Sequence, residues 1–322
     1  MLSSVDRDQI DFLGLLTCVG FQEEFGGESC THGGEQREPH DFEYESKHSP
    51  TLRLRCAGKI SAVPTVSVFM NGPNPLKVAW NIFLVINTTK RPNPTGIGSV
   101  DHSQFSDLLE MLADGGLEAL ADRDSDLSAY IAKMNTIDPD TLSRHEALAF
   151  WLNLYNAGAM RLAVQAHRSG SESVLRVPGG FNRPIVEVAG EELSLDAIEH
   201  GKLRKFGDPR IHGALICGSV SCPTLRRTPY TGHGLDTELT EQMSYFVSQG
   251  GAVADGDDAL KLSRVFLWFG ADFVRPQRMP TFLPASKKAL LSALEEWLPD
   301  DLSGRTRVSF QSYHWGLRCS VA

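Results

Sequence analysis

The chain has 322 residues, 41% of them hydrophobic and 22% charged, which supplies apolar residues for a sizeable core. No run of about 18 apolar residues occurs, so the sequence excludes a membrane-spanning helix. Of the net charge of −9, all comes from residues 1–45, with eleven acids against two bases; the remainder balances at 29 against 29, with no basic stripe to bind nucleic acid.

The chain starts with acids where a secretory leader carries bases. A cytoplasmic location is therefore expected, and export if the native start differs. The six cysteines are too few for a disulfide scaffold and are expected to be reduced thiols. Residues 1–99 read as an extension. Residues 26–50 lack any apolar period and are predicted to be disordered. Residues 60–69 and 78–88 are β-prone pieces that suit a hairpin or chain never selected to fold. Residues 90–96, with two prolines and a glycine, read as a linker.

From residue 100 the pattern becomes regular. Phe105, Leu108, Leu109 and Leu112 repeat at helical spacing up to Gly115-Gly116, and residues 117–134 read as one or two further helices. Residues 143–167 give the clearest helix, with Ser143 as N-cap, Glu146 three residues on, and Gly170 as the stop. It is apolar nearly all round, so it is predicted to be buried. A hairpin follows over 183–195 around Ala189-Gly190, then a helix over 195–204 and a buried strand over 211–217. Residues 218–223 read as a loop. Residues 235–248, 266–273 and 285–297 read as helices, 259–265 and 307–310 as strands. The fold class is α+β: a mostly helical single domain, residues 100–317, packed on a small, mainly antiparallel sheet, with residues 318–322 as a tail.

Two segments carry more polar chemistry than structure needs. In the buried helix, Glu146 and Asn153 lie two turns apart on one face, with Asn156 near it. Buried amides cost free energy unless paired. The second segment opens with His212 and continues through Cys217, Ser221 and Cys222 to Arg226. A thiol becomes a nucleophile where a base or a positive field lowers its pKa. Cys222, on the loop, is the accessible candidate, and Cys217 reads as a small core residue. Each also has a plainer reading: Glu146 as a cap, the asparagines as loop ties, His212 as a satisfied core histidine, and Cys222 as a structural thiol or one paired with Cys217 in an oxidising setting. His212, Cys217 and Cys222 fit no standard zinc spacing and have no fourth ligand nearby, so neither a metal nor a cofactor is expected.

These segments resemble a family known as DUF547, a domain of unknown function. Its helix motif matches Glu146, Ala149, Phe150, Trp151, Asn153, Tyr155, Asn156 and Ala157. Its second motif matches His212, Ala214, Leu215, Cys217, Ser221, Cys222, Pro223, Leu225 and Arg226. Lesser blocks match Leu195–Asp196 with Ile198-Glu199-His200, residues 262–266 with Trp268 and Asp272-Phe273, and Tyr313 with Trp315 and Leu317. The resemblance covers about residues 100–317. Phe269 stands where the family usually has Tyr, and His314 where it usually has Asp. Many relatives look exported, and residues 1–99 match nothing in the family, so a native start further downstream is expected.

A strand opening with His212 is similar to the histidine strand of papain-like and transglutaminase-like enzymes, which implies a distant likeness to those folds. Three readings stay open. The first is a thiol- or carboxylate/His-dependent hydrolase or transferase, with Cys222 as nucleophile, His212 as base, Glu146 as orienting or acidic group, and Asn153, Asn156, Ser221 and Arg226 holding the substrate. The second is a non-catalytic module binding a small molecule or peptide. The third is a purely structural polar network.

Overall fold

The computed structural model describes residues 75–281 and 283–322, with side chains from residue 80 onward except residue 81. The expectations for residues 26–50 and 60–69, and the thiols of Cys18, Cys30 and Cys56, lie outside the described residues.

Residues 78–88 are helical, not a strand. They belong to α1 (Pro75–Thr88). Proline at the first helical position pre-sets φ, and a short apolar run fits a packed helix as well as a strand. Ile82 is buried. Residues 95–98 then run along the turn at 140–142, with Gly96 N–H donating to Leu142 O at 3.1 Å. A Cβ at Gly96 would lie 1.7 Å from the Thr141 carbonyl oxygen, so only glycine permits this approach.

Helix α2 (Ser103–Asp122) breaks at Gly116, which takes φ 67° and ψ −164°. Together with α3 (Asp124–Met134) it covers the central helix α4 (Arg144–Arg168). Helix α4 starts where predicted: Ser143 Oγ accepts from Glu146 N–H. It ends at left-handed Gly170, where Gly170 N–H donates to His167 O and Ser171 N–H to Ala166 O, a glycine-closed C-terminus. Its residues from Ala147 to Met160 are all buried.

The hairpin pairs β1 (Val186–Val188) with β2 (Glu191–Leu193), antiparallel. Its turn residues Ala189 and Gly190 both have positive φ, 50° and 76°, as a two-residue turn matched to strand twist requires. Helix α5 (Leu195–Gly201) follows and packs on α1.

The expected strand at 211–217 is not formed. Residues Ile211–Ala214 make a one-turn helix, α6, with Leu215 N–H donating to Ile211 O at 3.0 Å. The chain then extends through Ile216. Its backbone groups are met by Asn156, whose Nδ2 donates to Ala214 O at 3.0 Å and whose Oδ1 accepts from Ile216 N–H at 3.2 Å. An amide side chain thus does what a neighbouring strand would do. His212 lies on a helical turn, so the likeness to a histidine strand falls away.

Helix α7 (Leu235–Phe246) leads into a sheet ordered β3 (Ala252–Ala254), β4 (Ala259–Leu262) and β5 (Arg307–Phe310). The β3–β4 pair is antiparallel and the β4–β5 pair parallel. With α8 (Arg264–Val274) and α9 (Lys287–Leu294) it encloses a second apolar cluster of Leu260, Leu262, Phe266, Phe273 and Leu290. The larger cluster surrounds α4. The architecture is α+β, with helices dominant and two small sheets. No helix among the described residues is long and apolar enough to cross a membrane.

Candidate thiol site

The two buried amides of α4 bind backbone. Asn153 Nδ2 donates to Tyr230 O at 2.8 Å, and its Oδ1 accepts from Tyr230 N–H at 2.9 Å. Asn153 and Asn156 are both buried. They fasten the 214–216 and 230 stretches to the central helix. Glu146 is half-buried and lies against Gly232, where a Cβ would come within 2.5 Å of its Cγ.

His212 is buried in a charged network that the spacing did not reveal. Its Nε2 lies 3.0 Å from Asp272 Oδ2, and its ring stacks on Phe269 at 3.9 Å between centroids. Arg204 grips the same carboxylate with two N–H groups, at 2.8 and 2.9 Å, and donates to Thr281 O at 3.1 Å. Burial works to raise Asp272, but the Arg204 charge and the bonds from His212 and Arg204 outweigh it and hold the carboxyl below its ordinary range. Burial lowers both His212 and the neighbouring His200. A neutral His212 carries its proton on Nε2 and donates to Asp272. Phe269, which stands where the family has Tyr, brings a ring and no hydroxyl to this stack.

The thiols sit elsewhere, on the loop after α6. The Cys217 sulfur is 2.9 Å from Ser219 Oγ and 3.2 Å from Tyr313 Oη, and those two hydroxyls are 2.9 Å apart. The two hydroxyls hold two protons for three edges of this triangle, so an ionised sulfur can take both. The adjacent Cys222 thiol, with the bonds from Ser219 and Tyr313, outweighs burial and brings the Cys217 thiol from 9.0 down to about 7. Burial and the neighbouring Cys217 sulfur push Cys222 the other way, well above its ordinary value. Both residues are partly buried, packed against the larger apolar cluster. The Cys222 sulfur accepts from Cys217 N–H at 2.8 Å and faces Leu215 O at 3.8 Å.

The loop is held by the 313–317 stretch. Ser221 Oγ accepts from His314 N–H at 2.9 Å, and Val220 N–H donates to Gly316 O at 2.9 Å. A cleft of about 200 Å³ opens on this side, bordered by Ser221, Cys222, Tyr245, Gln249 and Tyr313. Arg226 is held by Glu238 O at 3.2 Å and Glu241 Oε2 at 3.0 Å. Of the residues singled out in the sequence, Ser221 and Cys222 border the cleft, and Cys217 is tied to its wall through Tyr313. Glu146, Asn153, Asn156 and His212 are engaged at other places. Among the described residues no hydrogen bond joins Cys222, His212 and Glu146. No cluster of three or more His, Cys, Asp or Glu side chains there is placed to hold a metal ion.

Residues 139–247 match the model of a family described as a protein of unknown function, DUF547. The matched stretch covers about a third of the 322 residues. No curated protein and no solved structure matches it. The matched stretch contains both thiols and Ser219, whereas Tyr313 and Asp272, which complete the two polar clusters, lie beyond it. Tyr313 and Asp272 fall in the lesser motif blocks. Their partners are 96 and 60 residues away, a separation from which spacing alone reads nothing.

Proposed function

We propose that this DUF547 protein is a thiol-dependent hydrolase or transferase whose nucleophile is Cys217. The observation that carries the reading is the Cys217 sulfur, hydrogen-bonded to Ser219 and Tyr313 and set beside Cys222, behind a cleft that Tyr313 and Cys222 border. A thiolate present near neutral pH without a histidine partner is made by such donors. Its attack on an acyl carbon would form a thioester and release an alcohol or amine, which takes its proton from water in the cleft. Water or a second acceptor would then break the thioester and restore the thiol. His212, locked between Asp272 and Phe269, is in this reading a structural group, and so are Asn153 and Asn156.

The test is the pH dependence of alkylation, read separately for Cys217 and Cys222 by peptide mass. Cys217 is expected to react with a midpoint near its pKa of about 7, and Cys222 only at higher pH. That result justifies a screen of ester and amide substrates. A Cys217 that reacts only above pH 8.5, the ordinary thiol range, defeats the reading and leaves the cleft as a binding surface.

A further inference from the structure

Cys217 and Cys222 are close for a reason the thiol chemistry above does not require. Gly218 takes a left-handed φ of 76°, and Cys222 N–H donates to Ser219 O at 3.1 Å, so the loop doubles back on itself. Cys217 N–H donates to the Cys222 sulfur at 2.8 Å, which sets the two cysteine side chains against each other. A disulfide forms without backbone rearrangement only where two cysteines are already set face to face. The rest of the loop is fastened on both sides, by Asn156 at Ile216 and by the 313–317 stretch at Val220 and Ser221. Cys217 and Cys222 are partly buried, while the third described cysteine, Cys319, is buried and pushed up to about 12 by that burial.

We infer that Cys217 and Cys222 form a reversible dithiol–disulfide couple that exchanges with low-molecular-weight disulfides. The Cys217 thiolate attacks one sulfur of the incoming disulfide. A mixed disulfide forms on Cys217 and the other half leaves as a thiolate, protonated by water. Cys222 then gives up its proton to water and attacks the Cys217 sulfur. The Cys217–Cys222 bond forms, and the second half leaves as a thiol. The protein dithiol is oxidised by two electrons and the small disulfide is reduced to two thiols. The inference uses the sulfur assigned above as nucleophile but needs no acyl chemistry. The oxidised form has no thiolate at the cleft, so the couple would also switch that chemistry off.

The sequence makes the test direct. Trypsin releases residues 211–226, between Arg210 and Arg226, as one peptide holding both cysteines. The full chain is incubated with glutathione disulfide, quenched with an alkylating agent and digested. The expected wild-type product is this peptide lighter by two hydrogen atoms and closed to alkylation until dithiothreitol is added. In C222S the reaction should stop at a glutathione adduct on Cys217. In C217S, Cys222 should form adduct roughly tenfold more slowly at neutral pH, because little of it is thiolate. A wild-type peptide that keeps two alkylatable thiols at every ratio of oxidised to reduced glutathione overturns the inference. So does a stable glutathione adduct in wild type, which would still leave Cys217 as a reactive nucleophile. An internal disulfide together with no turnover of any ester or amide by the reduced protein upholds the couple and defeats the acyl-transfer reading. The wild-type digest decides the matter even if a variant fails to fold.

Discussion

Cys217 and Cys222 share one loop, yet their sulfurs differ in acidity because one is the hub of the hydrogen bonds and the other is a spoke. Removing a donor should show this. In Tyr313→Phe, the Cys217 alkylation midpoint is expected to rise by about one pH unit, since a hydrogen bond to a charged group contributes about 1.5–3 kcal/mol and one unit corresponds to about 1.4. A midpoint unchanged from wild type would show that Tyr313 does not hold the thiolate. The loop position of Cys222 favours it as the reactive thiol when the sequence is read alone. The acidity is lowered first by Cys222 and then by Ser219 and Tyr313, and Tyr313 comes from 96 residues away, so the residues near the cysteines reveal only part of it. His102 gives a second residue-scale prediction. It is buried, its Nδ1 lies 2.7 Å from Tyr130 Oη, and burial, aided by the Lys133 charge, lowers it from 6.5 to about 4. A histidine depressed in the folded state binds its proton more readily unfolded. Stability should therefore fall as pH drops from about 6.5 towards 4, by roughly 3 kcal/mol if the whole shift is expressed. In His102→Asn the amide oxygen can accept from Tyr130 without titrating. Urea midpoints at pH 7 and pH 4.5 should differ less in the variant than in wild type.

At the scale of elements, the central helix α4 was legible from its cap to its stop. Ser143→Ala should cost about 1 kcal/mol, read as a shift in urea midpoint, because Ser143 Oγ satisfies Glu146 N–H. The tight side of the same helix was not legible. A Cβ at Gly158 would come within 2.4 Å of Ile185 Cδ1 and 2.9 Å of Leu195 Cδ2. Gly158→Val should push the β1–β2 hairpin and α5 off the helix and cost about 1–3 kcal/mol, whereas its effect on Cys217 alkylation should be small. Two element readings failed for one physical reason. Residues 78–88 and 211–217 are short apolar runs, and burial stabilises a helix and a strand of that composition alike. For the second run the choice falls to Asn156, which supplies the bonds that a strand partner would have given.

At the scale of the molecule, Asp272 ties α8 to His212 on α6 and to Arg204 beyond α5. Asp272→Asn removes the one carboxylate that Arg204 grips there and leaves a buried guanidinium uncompensated, a loss of about 3–5 kcal/mol. Denaturant unfolding should register it in full. If the network is structural, the alkylation midpoint of Cys217 should stay near that of wild type in the folded variant, and a large shift would mean that the two clusters are coupled. The sequence by itself determined the helical bulk, the ends of α4, the hairpin turn and the two motif segments, because caps, turn residues and apolar periods act over a few neighbouring residues. It also marked both thiols and the two amides as groups that needed partners. The tertiary structure alone decided what those partners are. It set Asn153 and Asn156 on backbone, His212 on Asp272, and Cys217 among Ser219, Tyr313 and Cys222. A polar group's pKa and its access to solvent depend on what packs within a few ångströms, and in this chain much of that arrives from 60 to 96 residues away.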